Sequence, residues 1–262
     1  FSKRFTIEHV DSVNKKKFIQ TYTDNAKNRT KPKITSSSSK GYTKISFEID
    51  FERFGYDVSK DKYYKDFIGL LGMYILEIAA MTALPVSLTV DGKTTKFHFK
   101  TFDKYVRMFY PEVSSHKVEM LKLYNGDECV IVESHTDARL EIPDMLENVR
   151  HMSFVNGLRT KDGGVHVDAW RDAICQLFVR QFNAKKRKVP LKTSAKEIYP
   201  YLTMFIRTEV SNPSFDTQTK NCLNGPSYKI LPECKTQKDK VNLEQIKTDL
   251  DKVVKKMMKW NF

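Results

Sequence analysis

Between Met152 and Val210 the chain switches periodicity twice, and that switch limits its fold more than any other feature. Met152-Ser153-Phe154-Val155-Asn156 alternates as a strand and runs on toward Gly163-Gly164, a turn that Cβ atoms would block. Val167 to Phe182 then carries Ala169, Ala173 and Leu177 at helical spacing and ends in a basic loop. The chain returns as a long apolar strand, Tyr201 to Val210. A strand–helix–strand unit of this kind needs a sheet with a helix on its face.

The remaining elements read as α+β in two parts. Phe5-Thr6-Ile7-Glu8 and Lys44-Ile45-Ser46-Phe47-Glu48-Ile49 alternate as short strands, with a polar loop from Thr35 to Gly41 between them. A helix is predicted over 63–84, stopped by Pro85. Asp91-Gly92 between Val86–Val90 and Thr94–Phe99 marks a hairpin, and Asn125-Gly126 between Lys117–Tyr124 and Glu128–Glu133 marks another. A short helix from Phe102 to Phe109 precedes Pro111, the candidate domain boundary. A last amphipathic helix, Leu243 to Trp260, presents Ile246, Leu250, Val253, Val254 and Met257 on one side.

Bulk properties narrow the class. The 262 residues, 40% hydrophobic and 29% charged, suit a globular protein with a core of real size and exclude a disordered chain. Lys and Arg outnumber Asp and Glu by 45 to 32, a net charge of +13 that favours a polyanionic partner, nucleic acid before an acidic membrane surface. Phe67 to Leu84 is apolar, but Glu77 at its centre and the glycines Gly69 and Gly72 favour a helix buried in protein over a membrane span. Cys129, Cys175, Cys222 and Cys234 have no C-x-x-C spacing and no zinc pattern, so reduced thiols in an intracellular protein are expected, with no metal ligands. The chain opens on Phe1 with no basic-then-apolar leader, as an internal fragment without a secretion signal would.

Two segments carry chemistry. Asn212-Pro213-Ser214-Phe215-Asp216-Thr217-Gln218-Thr219-Lys220 puts a rigid turn and a cationic tip after the long strand, as recognition of a phosphate requires. Upstream lies Ser153-Phe154-Val155-Asn156-Gly157-Leu158-Arg159-Thr160-Lys161-Asp162-Gly163-Gly164-Val165-His166-Val167. The latter resembles the S-F-V-N-S-I-x-T-x-x-G-G-x-H-V stretch of eukaryote-type type II DNA topoisomerases, and the former their N-P-x-F-x-S-Q-T-K loop. Phe1 to Glu8, Lys31 to Thr35, Tyr42 to Phe47, Arg53-Phe54-Gly55 and Trp260-Asn261-Phe262 fall in the family's order, so the resemblance spans nearly the whole chain. Gly157, Leu158, Val165 and Thr217 depart from the usual residues, as in a divergent member, one encoded by a large DNA virus.

The resemblance implies a specific assignment. Residues 1–111 correspond to the C-terminal part of a GHKL-type ATPase domain and 112–262 to a transducer domain, whose crossover between strands is left-handed in that family. Lys220 is the implied catalytic residue, reaching the γ-phosphate of ATP, with Gln218 assisting; ATP and Mg2+ are the implied cofactors, held mostly by residues outside this chain. Such a lysine stabilises charge on the transferred phosphoryl group and lets its own domain sense the nucleotide. The glycine loop of the ATP site, the acidic metal site and the DNA-attacking tyrosine have no match here, so the segment alone is expected to be inactive. Double-stranded DNA and a second copy in a homodimer are the implied partners, without a membrane. The implied locations are the nucleus or, for a viral member, replication sites in the host cytoplasm.

Other features admit more than one explanation. Lys185-Lys186-Arg187-Lys188 is at once a solvated helix end, an import-signal composition and, by resemblance, a loop that faces DNA. His166 beside Asp168 is expected to be a structural hydrogen-bonding residue, since no third ligand or nucleophile has suitable spacing and residues two apart share a strand face. Trp170 and Trp260 are expected as packing anchors. The rival functions are a non-enzymatic basic nucleic-acid-binding module of similar fold and another GHKL ATPase such as a mismatch-repair relative.

Overall fold

A computed structural model of the chain describes residues 1–57, 61–110, 118–133, 150–185, 192–231 and 236–260. It divides into two compact units, Phe1–Met73 and Tyr74–Phe262. The candidate boundary at Pro111 lies outside the described residues.

The first unit is an antiparallel sheet. Strand β1 (Ser2–Asp11) lies between β2 (Lys16–Thr23) and β5 (Tyr42–Ile49), and β2 also pairs with β3 (Asn28–Arg29) and β4 (Lys33–Ser36). The register sets Phe5 opposite both Tyr22 and Phe47, so apolar side chains meet across the sheet. The Asp11 carboxylate closes the first turn by accepting the Val13 and Asn14 N–H groups at 2.9 and 3.0 Å. Strand β4 takes up the start of the segment expected as a loop over 35–41. Strand β2 had no counterpart in the sequence analysis, although Phe18, Gln20 and Tyr22 alternate with their neighbours there.

Helix α1 (Asp61–Thr82) contains the division between the units and ends two residues before the predicted limit. Ala83 turns left-handed at φ 53°, and Pro85 disfavours helix at the residue before it, so Leu84 cannot extend the last turn. No helix among the described residues is long and apolar enough to cross a membrane. Glu77, in the C-terminal half of α1, is buried and ion-paired with Arg159 at 3.1 Å. Burial raises its carboxyl above the usual range, and the nearby guanidinium only partly offsets that.

In the second unit, β6 (Val86–Val90) and β7 (Lys93–Phe97) form the hairpin expected around Asp91-Gly92, both of which have positive φ as a two-residue turn of type I′ demands. Helix α2 (Phe102–Met108) leads to β8 (Val118–Lys122) and β9 (Glu128–Glu133), with Asn125-Gly126 in the turn between them. The strands β10 (His151–Val155) and β11 (Leu158–Arg159) follow, then β12 (Gly163–Gly164) and α3 (Val165–Ala184). Helix α4 (Ala195–Ile198) precedes β13 (Leu202–Thr208), β14 (Ser214–Phe215), β15 (Cys222–Gly225) and α5 (Gln237–Met257).

The main sheet runs β11-β10-β13-β9-β8, and the crossover pair β10 and β13 is parallel. Strand alternation builds a core on each face. Cys129, Ile131, Leu202, Met204 and Ile206 meet Trp170, Ile174 and Phe178 of α3 and Ile246, Leu250 and Val254 of α5. On the other face, Val130, Val132, Phe154 and Phe205 meet Phe102, Tyr105 and Val106 of α2. Each fully buried side chain of this size contributes about 1.5–3 kcal/mol, so the two layers together fix the strand order. Trp170 and Trp260 both lie in the first of these cores.

Helix α5 begins six residues before its predicted start. Thr236 and Asp239 form a capping box, the Asp239 N–H donating to Thr236 Oγ1 at 3.1 Å and the Thr236 N–H to Asp239 Oδ2 at 2.8 Å. Its buried face is Ile246, Leu250, Val253, Val254 and Met257, the five residues the periodicity selects.

Candidate functional site

The two chemistry-bearing segments, some fifty residues apart in sequence, are joined by a short parallel ladder. Gly163 pairs with Cys222 and Gly164 with Leu223, which places β12 against β15 immediately after Lys220. The Asp162 N–H adds a hydrogen bond to the Asn221 carbonyl at 2.9 Å. Gly164 has φ 125°, and a Cβ there would stand 2.6 Å from the Leu223 nitrogen and closer still to its carbonyl oxygen. Only glycine permits so near an approach of two backbones.

Upstream of the ladder, Asn156 (φ 51°) and Gly157 (φ 79°) turn β10 into β11. The left-handed backbone explains why glycine is well placed at 157. Asn156 also clamps the strand that leads to the loop. Its Oδ1 accepts the Val210 N–H at 2.8 Å and its Nδ2 donates to the Val210 carbonyl at 2.9 Å. The lysine loop therefore has one footing on Asn156 and a second on the glycine ladder.

Between β14 and β15, the Lys220 N–H donates to the Thr217 carbonyl at 3.0 Å and closes a tight turn. Gln218 is exposed and Lys220 half-buried. The ammonium lies 5.7 Å from the Phe215 ring centroid, and among the described residues no carboxylate pairs with it. An ammonium with no carboxylate partner among the described residues, two positions from an exposed glutamine, is suited to an anionic ligand with several acceptor oxygens.

A sequence model of the family described as DNA gyrase B matches residues 106–261. The chain belongs to that family. It is 33% identical over 261 residues to the DNA topoisomerase 2 of Invertebrate iridescent virus 6, covering 99% of this chain and 20% of that protein. Against the DNA topoisomerase 2 of Acanthamoeba polyphaga mimivirus it is 32% identical over 229 residues, 85% of this chain and 16% of that one. The chain thus spans about a fifth or less of these relatives. Its fold matches the ATPase and transducer domains of DNA topoisomerase II from Balamuthia mandrillaris with a TM-score of 0.68 at 24% identity, covering 99% of this chain and 62% of that one. The ATPase region of Saccharomyces cerevisiae topoisomerase II matches with a TM-score of 0.64 at 23% identity, over 97% and 62% of the respective chains.

Beneath the ladder, this DNA gyrase B family chain buries a polar cluster. Ser153 Oγ lies 2.7 Å from Thr160 Oγ1, which lies 3.2 Å from His166 Nε2. Burial pushes the His166 imidazole down to about 4, the charge of a protonated His151 acts in the same sense, and Asp127 opposes both. His166 is therefore neutral and structural, as expected, but for a different geometric reason. Residues 165–184 are helical, so His166 and Asp168 point to different sides. His166 is buried, whereas Asp168 is exposed and pairs with Arg171 at 2.7 Å. Among the described residues no group of three or more His, Cys, Asp or Glu side chains could hold a metal ion.

Gln218 and Lys220 come to the same ladder as Gly163 and Gly164, whereas Lys185 does not. Lys185 is exposed at the far end of α3, a 20-residue helix that spans about 30 Å; Lys186, Arg187 and Lys188 lie outside the described residues. The sequence pattern does not announce Asn156 as a clamp or Asp216 as a loop closure. Asp216 reaches a backbone N–H six residues on, further than the two residues of an ordinary Asp turn, and Asn156 reaches across to Val210.

Two outcomes follow from this geometry. Gly164→Ala is expected to lower stability by about 2–4 kcal/mol, since neither backbone can retreat without breaking the ladder, and urea unfolding reads it as a fall in midpoint. His166 binds a proton in the unfolded chain near pH 6.5 but not in the folded one until about 4. Its contribution is complete above pH 6.5 and falls by about 3 kcal/mol as pH drops toward 4. In His166→Gln this part of the pH dependence is absent, as the difference between the two urea-unfolding series will show.

Proposed function

We propose that this chain is the ATPase–transducer segment of an ATP-dependent type II DNA topoisomerase, with 1–111 the C-terminal part of a GHKL-type ATPase domain and 112–262 the transducer. The observation that carries the proposal is the β12–β15 ladder, which brings both family motifs to one place, where no carboxylate among the described residues pairs with the Lys220 ammonium. Lys220 contacts the γ-phosphate and Gln218 adds a second polar contact. ATP with Mg2+ would supply the phosphoryl group, bound mostly by residues outside this chain. The fixed cation stabilises charge on the phosphoryl oxygens without reorganising, because its loop is already anchored at both ends.

The same anchoring supports coupling. A change at Lys220 pulls on β15, and through Gly164 on the first residue of α3, whose apolar side packs on the main sheet. Nucleotide binding thereby closes an N-terminal gate between two copies, and hydrolysis lets it reopen. The enzyme passes one DNA duplex through a transient break in another, in the nucleus or, for a virus-encoded member, at replication sites in the host cytoplasm.

Decatenation of interlinked DNA circles by the complete enzyme tests the proposal. ATP-dependent unlinking is expected, and Lys220→Ala is expected to abolish it with ATP turnover reduced about 100-fold. ATP-independent, salt-sensitive DNA binding without unlinking would instead identify a basic binding module of the same fold. The basic run is proposed to touch DNA phosphates. Replacing Lys185, Lys186, Arg187 and Lys188 with alanine is expected to flatten the slope of log affinity against log salt by about 3–4, with no change in sequence preference.

A further inference from the structure

The strand ladder between β14 and β15 stops short of the residues that matter. Its register is irregular between Ser214 and Phe215, and its last pair on the loop side is Phe215 with Leu223. Beyond that pair the closure passes to Asp216. The Asp216 N–H donates to the Cys222 carbonyl at 3.1 Å, and the Asp216 carboxylate accepts the Cys222 N–H through Oδ1 at 3.0 Å. The same oxygen lies 3.3 Å from the Thr217 hydroxyl, which in turn stands 2.8 Å from the Thr219 hydroxyl. Residues 217–221 are thus tied into a ring whose two ends are one residue, Asp216, and its partner Cys222.

Inside this ring Lys220 adopts φ 59°. A lysine gains nothing intrinsic from the left-handed region, and non-glycine residues hold it only where their surroundings compel it. Two contacts supply the compulsion: the Lys220 N–H on the Thr217 carbonyl, and the Asp216–Cys222 closure two residues further on. The backbone donors also hold the Asp216 carboxyl below the usual carboxylate range, the Cys222 N–H being the largest cause. The carboxylate is therefore ionised at neutral pH, and it is used as an acceptor of backbone N–H groups rather than as a counter-ion to Lys220.

We infer that Asp216 is the positioning residue for Lys220: its side chain closes the loop and so fixes the left-handed backbone from which the ammonium is presented to a phosphate. This rests on the role proposed for Lys220 above. It accounts for an acidic residue beside a phosphate-directed lysine, where a free negative charge would weaken binding. Here the charge is turned inward onto amide N–H groups.

Two measurements test it. In this chain, Asp216→Ala is expected to speed amide hydrogen exchange at Cys222 and Lys220 about tenfold while the melting temperature holds, because Asp216 is exposed and belongs to neither core. Asp216→Asn keeps an acceptor oxygen and is expected to stay within about twofold of the parent. In the complete enzyme, Asp216→Ala is expected to lower kcat for ATP about tenfold and to add no further loss in a Lys220→Ala background. Unchanged exchange at Cys222, or a loss that adds in full to that of Lys220→Ala, overturns the inference. Turnover left intact by Lys220→Ala alone overturns the functional proposal beneath it, whatever the exchange at Cys222 shows.

Discussion

The approach of the Gly164 backbone to Leu223 is the constraint on which the candidate site depends. A single Cβ at 164 would overlap the nitrogen and carbonyl of Leu223, so β12 and β15 can pair only because that atom is missing. The pairing does three things at once. It starts α3, for which Gly164 is the residue before the first turn; it ends the lysine loop; and it links the two in one ladder. A side chain–side chain contact could be lengthened by a change of rotamer, but two backbones in register cannot slide independently. That stiffness suits a segment proposed to carry a signal from a phosphate to a sheet.

The surrounding architecture protects the ladder. The main sheet is covered on one face by α3 and α5 and on the other by α2, and the alternation of β9 and β13 divides their side chains between the two cores. Several polar groups in this interior are paired: Ser153 with Thr160, Thr160 with His166 through Nε2, and Tyr228, whose hydroxyl donates to Asp127. Burial disfavours charge on His166 and favours the neutral ring that the hydroxyl contact accepts. Lys220 and Gln218 lie outside this interior, on the loop, where a ligand can reach them.

Much of the fold was legible because period and punctuation agreed. Asp91-Gly92 produced the hairpin turn it signals, Pro85 bounded α1, and the face of α5 followed from apolar spacing alone. The failures have physical causes. Strand β2 mixes lysines and threonines with its apolar residues, and its burial is only partial on either face, so its alternation is weak. The start of α5 is set by a Thr236–Asp239 capping box in a stretch with no apolar period. His166 was assigned to a strand face because helix α3 begins at Val165, directly on the glycine turn, earlier than its apolar spacing announces.

By itself, the sequence determined which residues are chemically able to act. It supplied a lysine and a glutamine on a turn after a buried strand, two glycines before a helix, and a resemblance that ties the two patterns to one family. It also determined the order of elements, since periodicity is a local property of the chain. Only the tertiary structure decided that the glycines sit against the end of the lysine loop, that Asp216 turns its charge onto the Cys222 N–H, and that Asn156 grips Val210. Those are contacts between residues distant along the chain or turned by left-handed backbone. No local pattern encodes them, because they depend on which strands become neighbours once both faces of the sheet are buried.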